Sequence, residues 1–202
     1  MSNRGKLIVV SGPSGSGKGT ILGEVLKSPD YVYSISMTTH DPREGEIDGK
    51  HYFFVDKATF EEGIAKHNLI EYAVYNNNYY GTPKDFVEMN LANGRNVILE
   101  IEVQGAMQIK KTVPDALFIF MTPESRVELE DRLRSRNTDT EDNIKRRLAI
   151  ADRELHSAFL YDYIIINEKG KQDKAVKDFL AAVRANTLTP FHQNDTLKTY
   201  FS

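Results

Sequence analysis

The apolar positions of the chain fall into short unbroken runs, separated by longer segments in which apolar and polar residues recur with a helical period. Leu7–Ser11 (LIVVS), Val97–Glu102 (VILEIE), Leu117–Met121 (LFIFM) and Tyr163–Asn167 (YIIIN) are runs of the first kind. Strands this rich in apolar residues need cover on both faces, which is the setting of a parallel sheet between two layers of helices. The intervening segments predict helices over about Gly17–Leu26, Gln104–Thr112, Ser125–Arg136, Glu141–Phe159 and Lys171–Asn186. Strands and helices alternating in this way predict an α/β fold with a mainly parallel sheet.

From about Ser34 to Lys84 the rhythm breaks. Tyr31–Thr39, His51–Val55 and Leu69–Tyr75 are strand-like, Lys57–His67 reads as a helix, and Asn76–Asn78 is a polar turn. This stretch predicts a small β-rich insert rather than another βα unit. A second excursion, Arg132–Arg147, gathers six Arg or Lys residues against Asp139, Glu141 and Asp142. Thr138 and Glu141 fit the S/T-x-x-E capping pattern, which predicts a helix start there. No internal repeat or low-complexity stretch is present, and the tail beyond Thr187 carries no chemical motif.

Composition narrows the picture by exclusion. At 202 residues the chain can bury one sizeable core. Twenty-six basic against 29 acidic residues leave a formal charge of −3, so no global positive field marks a nucleic-acid binder. The absence of cysteine excludes disulfides, thiolate metal sites and cysteine nucleophiles. No apolar run approaches the roughly 18 residues of a membrane span. The four apolar residues after Lys6 are too few for a signal-peptide core. The expectation is a soluble cytoplasmic chain that engages neither membrane nor nucleic acid.

The strongest chemical signal is Gly12-Pro13-Ser14-Gly15-Ser16-Gly17-Lys18-Gly19-Thr20. It matches G-x-x-x-x-G-K directly after a predicted strand and before a predicted helix, the context a phosphate-binding loop requires. Its glycines let successive amides point at one anion, the helix N-terminus adds partial positive charge, and Lys18 reaches the β/γ-phosphates. Gly19 stands where many such loops place a Mg²⁺-binding hydroxyl, and the hydroxyl comes one residue later at Thr20. G-K-G-T is common in small kinases of nucleoside monophosphates, with Mg²⁺ held more by nucleotide and water than by the loop.

With this loop, the segments Ser36-Met-Thr-Thr-His-Asp-Pro-Arg-Glu-Gly-Glu46, His51-Tyr-Phe-Phe54, Glu71-Tyr-Ala73, Asn78-Tyr-Tyr-Gly-Thr-Pro83 and Glu100-Ile-Glu-Val-Gln-Gly105 resemble the guanylate kinase family. Order and spacing match across roughly residues 5–185. The resemblance implies a three-layer P-loop kinase core at 1–33, 86–125 and 150–202, a GMP-binding insert at 34–85 and a helical lid at 126–149. It implies transfer of the ATP γ-phosphoryl to GMP or dGMP with Mg²⁺, giving ADP and GDP. The partners it implies are these small molecules, for a chain that is a monomer or a homodimer.

Guanine offers two adjacent donors, N1–H and the N2 amino group, which one carboxylate can accept together. Adenine has an acceptor at N1, so the same carboxylate discriminates against it. By resemblance that carboxylate is Glu71, with Ser36 and Thr82 completing the base contacts. Tyr52, Tyr80 with its neighbour Gly81, and Arg43 match the residues that hold the GMP phosphate. Glu100 and Glu102 match acidic residues near the guanine and the metal. They end a strand at the carboxyl edge, where open α/β sheets place ligands.

His40 departs from the family's T-T-R-x-P-R, which here reads Thr38-Thr-His40-Asp-Pro-Arg43. The expectation is a weaker, pH-dependent phosphate contact through one imidazole donor. Arg132 and Arg136 are four residues apart and share a helix face, with Arg147 facing back toward them. They resemble the lid arginines that neutralise the transferring phosphoryl group. Asn137 stands where the family usually has Gly and tolerates the same backbone conformation. Asn167 closes the last strand, either as a terminator or near the adenine. Two rivals remain at this stage: a guanylate-kinase-like peptide-binding module without catalysis, and a kinase for another nucleoside monophosphate.

Overall fold

The computed structural model describes residues 4–75, 77–135, 140–189, 192 and 199. Along the chain, β1 (Leu7–Ser11), α1 (Lys18–Val25) and β2 (Tyr31–Tyr33) lead into β3 (Met37–Thr38), β4 (Phe53–Phe54) and α2 (Lys57–Ala65). Then come β5 (Leu69–Tyr75), β6 (Asn78–Pro83), α3 (Lys84–Ala92), β7 (Asn96–Glu100) and α4 (Val103–Thr112). The second half holds β8 (Leu117–Thr122), α5 (Arg126–Ser135), α6 (Glu141–His156), β9 (Tyr163–Ile166) and α7 (Gln172–Asn186).

Five strands form one sheet in the order β2-β7-β1-β8-β9, parallel throughout. The unbroken apolar runs are explained by what lies on each side. Ile8 and Val10 of β1 pack with Ile21 and Leu22 of α1 and with Phe179 and Val183 of α7. Leu7 and Val9 pack with Val87 and Leu91 of α3 and with Ile109 of α4. The sheet is thus the middle of three layers. Because β1 is central, the loop after it emerges at the carboxyl edge, between the ends of β7 and β8.

The insert forms a separate four-stranded sheet in the order β4-β3-β6-β5, with β6 antiparallel to both β3 and β5. Helix α2 closes it through Phe60, fully buried and stacked on Tyr79 at 5.0 Å between ring centroids. Helix α4 docks the insert onto the core: Gln108 donates to the Tyr72 carbonyl at 2.9 Å and accepts the Tyr72 amide at 3.4 Å. Helices α5 and α6 pair through a third cluster, Leu129, Leu133, Ile144, Leu148 and Ala151.

Three local expectations change. The predicted strand Tyr31–Thr39 is two strands in two sheets: β2 pairs with β7, the Ser34 amide makes a last bond to the Ile98 carbonyl, and β3 joins the insert. Helix α3 has no counterpart among the helices that the pattern predicts. Helix α6 is capped by Thr140, whose side chain accepts the Asn143 amide, rather than by the Thr138–Glu141 box; Thr138 itself lies outside the described residues. Among the described residues no helix is long and apolar enough to cross a membrane.

Candidate active site

The loop between β1 and α1 turns on glycines at positive φ, +149° at Gly12 and +88° at Gly17. Both also sit where a side chain cannot. A Cβ on Gly12 would lie 1.9 Å from the Met121 carbonyl oxygen, and one on Gly17 would lie 2.3 Å from Asn167 Nδ2. Ser16 bonds back to the Pro13 carbonyl at 3.0 Å, closing the turn. The Lys18 ammonium donates to the Gly12 carbonyl at 2.6 Å and to Pro13 at 3.3 Å, and stands 3.8 Å from Glu100. Ser16 Oγ is buried with no hydrogen-bond partner among the described residues. Amides at a helix N-terminus, a lysine and this hydroxyl form a donor set suited to phosphate oxygens.

Beside the loop, between the insert and the carboxyl end of β7, lies a cavity of about 320 Å³. Ser36, Arg43, Tyr52, Glu71, Tyr80, Gly81, Glu100 and Glu102, all singled out by sequence, line it together with Gly105. Glu71 comes from β5 and is only 6% exposed. Burial pushes its carboxyl above the ordinary 4.5, opposed by the hydrogen bond that Thr82 donates at 2.7 Å. Thr82 is fully buried and is not in the cavity wall, so its hydroxyl acts on Glu71. Gly105 in α4 lies so close that a Cβ there would meet Glu71 Oε2 at 2.8 Å. The tyrosine rings of Tyr52 and Tyr80 are 6.0 Å apart, and burial raises the Tyr52 hydroxyl above its usual range.

His40, expected to contact a phosphate, lies next to this wall, its Nε2 buried with no hydrogen-bond partner among the described residues. It is buried and is not among the residues that line the cavity. Its ring is enclosed by Tyr52, Phe54 and Tyr80 at 5.1, 5.4 and 5.6 Å. Its Nδ1 lies 2.8 Å from the Asp41 carbonyl and 3.8 Å from Glu46. The imidazole therefore packs behind the two tyrosines.

On the other side of the loop stands α5. Arg132 donates through Nε to Glu128 at 2.7 Å, through Nη1 to the Ser16 carbonyl at 3.2 Å and through Nη2 to the Asn167 carbonyl at 2.8 Å. Each of its three nitrogens thus has an acceptor in the protein, and Nη1 and Nη2 each keep a second N–H. Asn167 at the end of β9 is buried and also donates to the Ser16 carbonyl, at 2.8 Å. Arg147 reaches the Ser14 hydroxyl at 3.3 Å, and Arg136 lies outside the described residues. Glu128 and Gln108 are outside the motifs that the sequence offers, and Gly105 enters only as the end of the Glu100–Gly105 segment, with no role of its own. For Glu128 the sequence signal is its i,i+4 spacing from Arg132.

Thr20 is exposed on the first turn of α1, and Glu100 and Glu102 stand at the cavity. Among the described residues no three His, Asp or Glu side chains gather into a metal cage. Two carboxylates at one cavity fit Mg²⁺, which keeps several waters and takes phosphate oxygens with one or two carboxylates.

The model of the guanylate kinase family matches residues 4–186. The chain is 48% identical to a guanylate kinase of Prochlorococcus marinus over 182 residues, 89% of this chain and 98% of that protein. It is 48% identical to a guanylate kinase of Carboxydothermus hydrogenoformans over 193 residues, 95% and 94% of the two chains. Its structure resembles the crystal structure of guanylate kinase from Anaplasma phagocytophilum, with a TM-score of 0.71 at 29% identity over 92% of this chain and 88% of that one.

Proposed function

The chain belongs to the guanylate kinase family, as an ATP-dependent nucleoside monophosphate kinase, and we propose how its residues carry out the transfer to GMP. The carrying observation is the buried, two-oxygen carboxylate of Glu71 in the cavity beside the phosphate loop. Glu71 accepts guanine N1–H and N2–H, Thr82 holds it in place, and Ser36 adds a polar contact. Tyr52, Tyr80 and Arg43 hold the GMP phosphate, with Gly81 keeping that wall open. Lys18 and the amides of Gly12–Thr20 bind the ATP phosphates. Asn167 closes the site on its far side.

No covalent intermediate is needed. Placing the acceptor phosphate in line with the γ-phosphoryl group removes most of the entropic barrier. Arg147, and Arg136 as the family pattern implies, neutralise charge on the transferring group when the lid covers it. Lid closure also excludes water, which would otherwise take the phosphoryl group. Glu100 and Glu102, together with the nucleotide and water, would hold Mg²⁺, which would supply further neutralisation of phosphate charge. The same proposal divides the chain into a core at 1–33, 86–125 and 150–202, a GMP insert at 34–85 and a lid at 126–149. Every residue used comes from one chain, so monomer and homodimer serve it alike. A cytoplasmic setting belongs to it as well, since both substrates are charged nucleotides.

Lys18→Ala tests the assignment. The expected result is a loss of roughly 100- to 1000-fold in kcat/KM, with GMP affinity by calorimetry changed less than about twofold. Retained turnover, or an equal loss of GMP affinity, would contradict it.

A further inference from the structure

Glu128 is a carboxylate buried to 8% exposure in the first turn of α5, beside the phosphate loop and outside the GMP cavity. A buried carboxylate is costly unless it is paired and hydrogen-bonded. Its Oε1 takes the Arg132 Nε at 2.7 Å, the Ser125 hydroxyl caps its own amide at 3.1 Å, and the exposed Lys169 stands 3.9 Å from Oε2. The other two nitrogens of Arg132 diverge to the Ser16 and Asn167 carbonyls. The Ser16 carbonyl is thereby held by two donors at once, Arg132 Nη1 and Asn167 Nδ2.

That anchor has a consequence across the peptide bond. The bond between Ser16 and Gly17 is trans, so the Ser16 C=O and the Gly17 N–H point in opposite directions. Pinning the carbonyl toward α5 and β9 turns the Gly17 amide the other way, at the N-cap of α1, where amides have no helical acceptor. Gly17 has a positive φ and no Cβ to brace it, so its orientation depends on what holds its neighbour. We propose that Glu128 is a positioning residue for phosphoryl transfer: it fixes Arg132, which with Asn167 pins the Ser16 carbonyl and aims the Gly17 amide at the ATP phosphates. The assignment rests on the kinase reading above and adds to it a route from α5 to the phosphate loop. Only a planar guanidinium offers three divergent donors at these distances; a lysine ammonium at the same place cannot reach all three acceptors.

The test uses Glu128→Ala, Glu128→Gln, Arg132→Lys and the double variant Glu128→Ala with Arg132→Lys. Readouts are ADP affinity by calorimetry, KM for each substrate, and kcat. Glu128→Ala and Arg132→Lys are each expected to weaken ADP binding and raise KM for ATP roughly tenfold, with KM for GMP changed less than about twofold. Glu128→Gln keeps an acceptor for Nε and is expected to recover most of the loss. The double variant is expected to be no worse than the poorer single variant, since both act through one contact chain. A lowered melting temperature with unchanged ADP affinity would overturn the proposal, as would equal rises in both KM values or additive losses. Should Glu128→Ala fail to fold, Arg132→Lys decides by the same criteria. Wild-type protein that binds ADP but does not phosphorylate GMP would defeat the kinase reading instead, and the ADP measurements would still judge the anchor.

Discussion

In the proposed function, Glu71 serves selectivity at a cost to the fold. Guanine recognition needs the ionised carboxylate, yet burial raises its pKa above 4.5. The folded value therefore exceeds the unfolded one, so the ionised group destabilises the substrate-free protein at neutral pH. That cost disappears as the pH falls through the raised value. Acidification is then expected to raise KM for GMP before exposed carboxylates titrate, with KM for ATP flat, and Glu71→Gln to abolish the GMP effect. Steady-state kinetics from pH 7 downward check this, and a KM for GMP that stays level until the ordinary carboxylate range would refute it. Gly105 gives a second test. Alanine is favoured over glycine within a helix by about 0.5–1 kcal/mol, but a Cβ here would stand 2.8 Å from Glu71 Oε2. Gly105→Ala is expected to keep or raise the melting temperature while raising KM for GMP roughly tenfold. Family resemblance singles out Glu71, which lines the cavity, whereas nothing in the resemblance shows that Gly105 is small to make room for it. His40 was legible as a departure, but its burial among Tyr52, Phe54 and Tyr80 depends on packing between strands that sequence does not position.

Among the elements, those with one strong period were legible and those defined by long-range pairing were not. The apolar strands of the core and the amphipathic α7 follow their patterns to within a residue or two. Tyr31–Thr39 reads as one strand because every residue in it tolerates extended backbone, and no local signal marks where it leaves one sheet for another. Helix α3 is short, with Val87 and Leu91 as its buried i,i+4 pair, and the motif ending at Pro83 masks its start. Docking between the insert and the core was also invisible, since Gln108 imitates a neighbouring strand by bonding both backbone groups of Tyr72. Gln108→Ala removes that pair from an exposed position. It is expected to raise KM for GMP about two- to fivefold with little change in melting temperature, because it loosens the docking of β5 rather than the core. A drop in thermal stability without a change in KM would show that the contact is only structural.

Across the whole molecule, the formal charge of −3 hides an uneven distribution. Positive groups gather around the loop and the cavity: Lys18 at the loop, Arg43 at the cavity and Arg147 from α6. The Glu71 carboxylate sits deeper, in a wall built from both sheets. This arrangement follows from topology, since placing β1 at the centre of a parallel sheet delivers its loop to the edge that the insert overhangs. Pattern and motif carried the fold class and most of the cavity wall. They did not carry the contacts that hold the wall and the phosphate loop in place, because Thr82 and Gly105 at the wall and Arg132 at the loop act on atoms distant in sequence. The most direct test of the account is ADP release with ATP as donor and GMP, dGMP, AMP, CMP or UMP as acceptor. Turnover is expected with GMP and dGMP, with kcat/KM for GMP exceeding that for AMP by on the order of 10⁴. Comparable turnover with AMP, CMP or UMP, or none with GMP, would contradict it.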